Sequence, residues 1–198
     1  MGAAVKLQYY SYEEYLQLEQ DTGIKHEYHA GVVVAMAGGT LDHSTIGGNA
    51  FVALQAAKNR AGKDCKPYNS DVKIYVKRKE KFLYADASLG CDRPIKHKSA
   101  LTNPSIIVEV LSDSTGDYDR GDKFYFYRQI LSLREYILVN QYEPVVEVFT
   151  RHRDLWRIKR YEGLDQEIPI DSLGVSIPLS AFYRDVDLEN SDAEVESE

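Results

Sequence analysis

Long apolar runs are missing from this chain of 198 residues. None approaches the roughly 20 residues that span a bilayer, so no membrane helix is expected. The N-terminus has no charged-then-apolar leader, and Lys6 stands where an N-myristoylation signal needs Ser or Thr. A cytoplasmic protein is the default expectation. Cysteine is scarce: Cys65 and Cys91 match no metal-ligand spacing, and two reduced thiols are the expected state. The chain also lacks an internal repeat and any Gly-x-Ser-x-Gly elbow, which argues against a serine hydrolase of that design. Gly38-Gly39-Thr40 and Gly47-Gly48 are not followed by Gly-Lys-Ser/Thr, so neither is a phosphate-binding loop. His26-Glu27-Tyr28-His29 spaces its histidines by three on an expected strand, whereas a zinc protease needs i, i+4 on a helix.

A net excess of acid or base is missing from most of the chain, despite a formal net charge of −7. Asp185, Asp187, Glu189, Asp192, Glu194, Glu196 and Glu198 fall in the last 14 residues with no base among them. Without them, 24 acids face 24 bases over residues 1–184. The expected organisation is one domain over 1–184 and an acidic, solvated tail over 185–198, able to compete for a basic face. The bases are clustered: Lys77, Arg78, Lys79 and Lys81 precede Asp86, and Arg93, Lys96 and Lys98 follow it. Such flanks suit a phosphate backbone, with strong salt dependence; the plainer alternative is a solvated hairpin tip.

What the chain does have is a carboxylate where a strand should be oily. Ile106-Ile107-Val108-Glu109-Val110-Leu111 reads as a strand buried on both faces, broken only by Glu109. A buried ion costs several kcal/mol unless a cationic side chain or a metal compensates it. Asp86, inside Phe82-Leu83-Tyr84-Ala85-Asp86-Ala87-Ser88-Leu89, sits in a comparable strand. Period-2 geometry puts Ile106, Val108 and Val110 opposite Glu109, and Ala85, Ala87 and Leu89 opposite Asp86, so both acids can enter one cleft. Two such acids suggest a site for a hard divalent cation, Mg²⁺ or Mn²⁺. A buried ion pair for Glu109 and a strand-end turn for Asp86 are the competing readings. On the helix expected after Glu109, over 116–131, Asp119, Lys123 and Tyr127 share one face. Lys123 could reach the cleft to orient or deprotonate a water, with Asp119 orienting Lys123.

Elsewhere the pattern predicts a helix from Ser11, a hairpin over 26–36 turning at Ala30-Gly31, and a helix capped near Thr40–Ser44. It further predicts a strand at 72–76, a loop over 92–103, strands near 135–140, 145–150 and 155–161, and a short closing segment around Pro169 and Pro178. This is an α/β fold, a central mixed β-sheet flanked by helices, in a single domain.

Tyr84-Ala85-Asp86, Ile107-Val108-Glu109-Val110-Leu111-Ser112, Asp119-Arg120-Gly121-Asp122-Lys123, Tyr127 and Glu135-Tyr136 together resemble the Uma-two family of endonucleases, within the PD-(D/E)XK, restriction endonuclease-like superfamily. Glu27, Gly31, Met36, His43 and Asp71 extend the resemblance over most of 10–183. It implies a restriction endonuclease-like fold and Mg²⁺-dependent hydrolysis of nucleic acid, with Asp86 and Glu109 as metal ligands and Lys123 as the catalytic amine. Glu27, His43, Asp71, Asp119 and Tyr127 would support them. Two positions depart from the superfamily: Ala85 replaces the Pro before Asp86, and Leu111 replaces the Lys two residues after Glu109. The reading is therefore a metal-dependent endonuclease (a hydrolase) acting on DNA, with a homodimer compatible but demanded by no residue. A catalytically inactive nuclease-fold module that binds nucleic acid or protein is the alternative, and a hydrolase of small phosphate esters the third.

Overall fold

In a computed structural model of the protein, residues 8–36 and 38–188 are described. Helix α1 (Tyr12–Thr22) starts at a reciprocal cap: Ser11 Oγ accepts from the Glu14 amide at 3.2 Å, and Glu14 Oε2 accepts from the Ser11 amide at 2.7 Å. Strands β1 (His26–His29) and β2 (Val32–Ala35) form the expected hairpin. Its turn residues, Ala30 and Gly31, both have positive φ, 50° and 102°, as a tight two-residue hairpin turn requires. Helix α2 (Leu41–Arg60) is capped by Thr40, whose Oγ1 accepts from the His43 amide at 3.0 Å.

The chain continues through β3 (Lys66–Asn69), β4 (Lys73–Val76), a 3₁₀ turn (Lys77–Lys79), β5 (Lys81–Tyr84), β6 (Ala87–Gly90), β7 (Lys96–His97), β8 (Ala100–Leu101) and β9 (Ile106–Leu111). A helical segment follows, made of α3 (Gly116–Tyr118), a π-helical turn (Asp119–Lys123) and α4 (Phe124–Tyr127). Then come β10 (Glu135–Asn140), β11 (Val145–His152), β12 (Leu155–Glu162) and a hairpin of β13 (Glu167–Ile170) and β14 (Val175–Pro178).

The sheet is mixed and helix-flanked, and it is divided in two. One six-stranded sheet runs β2-β1-β5-β4-β8-β7, the other β12-β11-β10-β9-β6-β3. The parallel pairs are β4 with β8 and β9 with β10, the latter joined by the helical crossover that parallel neighbours need. Three cores separate the layers. Tyr12, Tyr15, Tyr28 and Phe82 pack under α1 on the outer face of the first sheet. Ile74 and Leu83 of the first sheet meet Ile107, Leu111 and Leu138 of the second, with Tyr127 between. Ile106, Val108 and Val110 face the other way, onto α2 and the closing hairpin.

Several expectations change. The stretch 82–89 is not one strand: at Ala85-Asp86 the chain leaves the first sheet and enters the second. Strand β3 was not legible because Pro67 sits in it, which is tolerated since β3 is a sheet edge. The loop 92–103 contains a small hairpin, β7–β8, turning through positive-φ Lys98 and Ser99. The helix expected over 116–131 ends at Tyr127. The two cysteines are not reduced thiols: Cys65 and Cys91 are joined as a disulfide. The β3–β6 register pairs Lys66 with Gly90, so the residues just beyond, Cys65 and Cys91, come out opposite each other. Of the acidic tail, 189–198 lies outside the described residues.

Candidate active site

Glu109 leaves β9 on the face opposite Val108 and Val110, into the space between the sheets, and only 2% of it is exposed. Three elements meet it there. From the crossover helix, the Lys123 amine lies 3.0 Å from Glu109 Oε1 and 3.3 Å from Asp119 Oδ1. From β1, Glu27 Oε1 lies 3.8 Å from the same amine. From the break between β5 and β6, Asp86 is drawn to β9, its Oδ2 accepting from the Val110 amide at 2.7 Å. Asp86 Oδ1 is 3.2 Å from His43 Nε2 in the first turn of α2. The break in the 82–89 stretch thus places Asp86 beside the residue that follows Glu109.

These side chains line one open cavity of about 460 Å³. A second cavity shares His43 and Asp86 and extends toward Lys25 and Asn69. Asp86 keeps a fifth of its side chain exposed, whereas Glu27, Glu109, Asp119 and Lys123 are buried.

Four carboxyl groups against one buried amine give the cluster its electrostatics. Burial, with the charges of Asp119 and Asp86, pushes the Glu109 carboxyl well above the usual range despite Lys123. Burial likewise raises Asp119. For Asp86, burial is outweighed by the hydrogen bond and charge of His43, the Lys123 charge and the Val110 amide, and its carboxyl is held low. Glu27 is also held low, because Lys123, His29 and Tyr118 together outweigh its burial. Burial acts to discharge Lys123, but the carboxylates of Glu109, Glu27, Asp119 and Asp86 prevail and keep it charged well beyond its ordinary range. The hydrogen bond to Asp86 raises His43.

The donor set fits a hard divalent cation. Among the described residues no three His, Cys, Asp or Glu side chains gather into a ready-made metal cage. Mg²⁺ does not require one, since it keeps several waters and takes one or two carboxylates. Glu109 Oε1 is buried without a hydrogen-bond partner, near Lys123 as an ion pair only. Four carboxyl groups around a single amine leave a surplus of acid, the kind a cation relieves.

Of the supporting residues, Glu27, His43 and Asp119 join the cluster, and Tyr127 lies beneath it, fully buried with its hydroxyl unpartnered. Asp71 does not join: it is an exposed surface acid paired with Lys25 at 2.7 Å. None of the flanking bases at 77–81 and 93–98 lines the cavity. Lys77, Arg78, Arg93, Lys96 and Lys98 are exposed, and Lys79 and Lys81 are half-buried. Sequence reasoning missed Tyr118, whose hydroxyl donates to Glu27 Oε2 at 2.9 Å, and His29, 3.3 Å from that same oxygen. The signal for His29 was its i+2 spacing from Glu27, which shares a strand face.

A two-sheet α/β fold with a buried acid–lysine cluster beside an open cavity is of the restriction endonuclease-like class. A solved structure described as "a putative nuclease belonging to DUF820" from Anabaena variabilis ATCC 29413 matches with a TM-score of 0.68 and 13% identity, over 87% of this chain and 96% of that one. That likeness concerns the fold. The Uma2 family model, described as "Putative restriction endonuclease", matches residues 12–180. Two curated relatives come from Synechocystis sp. (strain PCC 6803). "Uncharacterized protein slr1290" is 36% identical over 87% of this chain and 90% of its own length, and "Uncharacterized protein sll1609" is 31% identical over 78% and 89%. The chain belongs to the Uma2 family.

Proposed function

We propose that this protein is a Mg²⁺- or Mn²⁺-dependent endonuclease that hydrolyses DNA phosphodiester bonds. The observation that carries the reading is the Lys123 amine 3.0 Å from Glu109, in the same cavity as Asp86. Asp86 and Glu109 would hold the cation, which when bound would polarise the phosphoryl group and lower the pKa of a water. Lys123 would orient that water and neutralise charge developing on the phosphate. Glu27 and Asp119 hold the amine in place, and His43 fixes one oxygen of Asp86. A DNA strand would pass over Asp86, where the two cavities adjoin. The bases at 77–79 and 93–98 would attract the polymer from outside the cavity. Cutting both strands with one such site per chain would take two copies. Within the described residues no helix is long and apolar enough to cross a membrane, and a cytoplasmic enzyme is proposed.

The test is nicking of supercoiled DNA with Mg²⁺ or Mn²⁺ against a chelator control, alongside metal titration calorimetry. Asp86→Asn and Glu109→Gln should abolish nicking and weaken metal binding, while Lys123→Ala should lose turnover and keep the metal. Equal cleavage by wild type and both acid variants would reject the assignment. The alternative, a nuclease fold retained for binding alone, draws support from Leu111, which puts an aliphatic side chain where the superfamily carries its lysine. Salt-sensitive DNA binding without metal affinity would decide for it.

A further inference from the structure

The proposed chemistry leaves His29 and Lys81 without a role, yet an unbroken run of contacts leads from them to Lys123. Glu27 and His29 alternate onto one face of β1, and the β1–β5 register sets His29 directly opposite Lys81. Lys81 Nζ lies 2.7 Å from His29 Nδ1. An ammonium can only donate, so Nδ1 accepts and the ring proton sits on Nε2. Nε2, the nitrogen that then carries the proton, is 3.3 Å from Glu27 Oε2, an ion-pair contact. The Tyr118 hydroxyl donates to that oxygen at 2.9 Å. Glu27 Oε1 takes the Tyr84 amide at 3.4 Å and faces Lys123 at 3.8 Å. Both oxygens of Glu27 are thereby committed, and the carboxylate is fixed facing the amine.

The Lys81 amine is equally committed. It packs over the Phe126 ring, 4.0 Å from the centroid, and burial lowers its pKa. An amine so enclosed is poorly placed to meet a phosphate.

We propose that Lys81 and His29 are positioning residues: Lys81 sets the tautomer of His29, His29 holds Glu27, and Glu27 holds the Lys123 amine at Glu109. The inference rests on the nuclease reading of the cluster for its effect on turnover, and on geometry alone for the tautomer. It also moves Lys81 out of the DNA-binding flank.

The test compares His29→Leu, His29→Gln and Lys81→Met in a metal-dependent cleavage assay, with kcat and KM measured across salt. His29→Leu should lower kcat about 10–100-fold at unchanged KM, the loss usual for groups that orient a site. The Gln amide can accept from Lys81 and donate to Glu27, so His29→Gln should recover most of the rate. Lys81→Met should lower kcat and leave the salt dependence of KM as in wild type. A raised KM with a shallower salt slope for Lys81→Met, or a His29→Gln no better than His29→Leu, would overturn the proposal. Independently, ¹⁵N-edited NMR of wild type should show His29 as the Nε2–H tautomer, and Lys81→Met should admit the other. A His29 proton on Nδ1 in wild type would sink the relay. If wild type does not cleave DNA at all, the nuclease reading fails, and the tautomer measurement still judges the contact chain.

Discussion

Lys123 meets Glu109 from a helix, its Nζ 3.0 Å from Oε1, while the strand position two residues beyond the glutamate is filled by buried Leu111. The amine and the acid therefore belong to different elements, and their meeting depends on how the crossover helix docks. A π-helical turn spans Asp119–Lys123, and the Tyr136 hydroxyl donates to the Asp119 carbonyl at 2.9 Å. That bond ties the turn to β10, the parallel neighbour of β9. Leu111 takes its place in the core shared with Tyr127 and Tyr136.

Removing the amine should expose how much the cluster needs it. Lys123→Met leaves Glu27, Asp86, Glu109 and Asp119 facing one another, and breaking a buried pair this way costs about 3–5 kcal/mol. Carboxyls can escape repulsion by taking up protons, and they do so more readily in acid. The deficit against wild type in urea unfolding should therefore be small at pH 5 and grow toward pH 8. A deficit independent of pH would mean that Lys123 contributes by packing and not by charge.

Glu109 makes a second prediction, with a definite sign. Burial raises its carboxyl in the folded protein, so over a window above its ordinary value the native state holds a proton that the unfolded chain has released. Stability falls with pH wherever the native state binds more protons. In chelator, Glu109→Gln should gain Tm relative to wild type as pH rises from about 4.5, the region of a free glutamate. Below that point the two should converge. A constant offset between the two Tm curves would contradict the raised carboxyl.

How much of this could be read from the residues alone depends on range. Ser11, Thr40 and Ala30-Gly31 act within a few positions, and the elements they begin or turn are where the pattern puts them. Glu109 announced itself because a carboxylate inside a β-branched run needs a partner. The break at Asp86 was hidden, since an apolar stretch crossing between two sheets has the same composition as one strand. The Cys65–Cys91 bond was hidden for a related reason: it follows from the β3–β6 register, and a strand holding Pro67 gave little sign of pairing. His29 and Tyr118 were missed because their importance lies in a shared partner, Glu27, and not in any spacing of their own to Asp86 or Glu109.

The exposed bases near the 3₁₀ turn offer a third prediction. Lys77 and Arg78 are exposed, and Lys79 lies 5.0 Å from the Tyr125 ring centroid. If they contact phosphates, neutralising all three should weaken DNA binding at every sequence and flatten the plot of log K against log salt. Each lost contact should reduce the slope by about 0.9 on duplex DNA. Fluorescence anisotropy from 50 to 200 mM salt reads this directly. An unchanged slope would make the turn an ordinary solvated tip.

The disulfide gives the last prediction. Cys65 and Cys91 close a loop of 26 positions that contains β3, β4, β5, the Asp86 break and β6. Constraining such a loop in the unfolded chain is worth about 3–4 kcal/mol on the chain-entropy account. Cys65→Ser, or a reductant on the wild type, should lower the urea midpoint accordingly, and the reductant should add nothing to the variant. Because Asp86 sits within the loop and its side chain accepts from the Val110 amide of β9, the reduced protein should also show faster hydrogen exchange at that amide. Free-thiol titration under non-reducing denaturation should find none. Two titratable thiols, with stability insensitive to reductant, would mean that the bond does not form in solution.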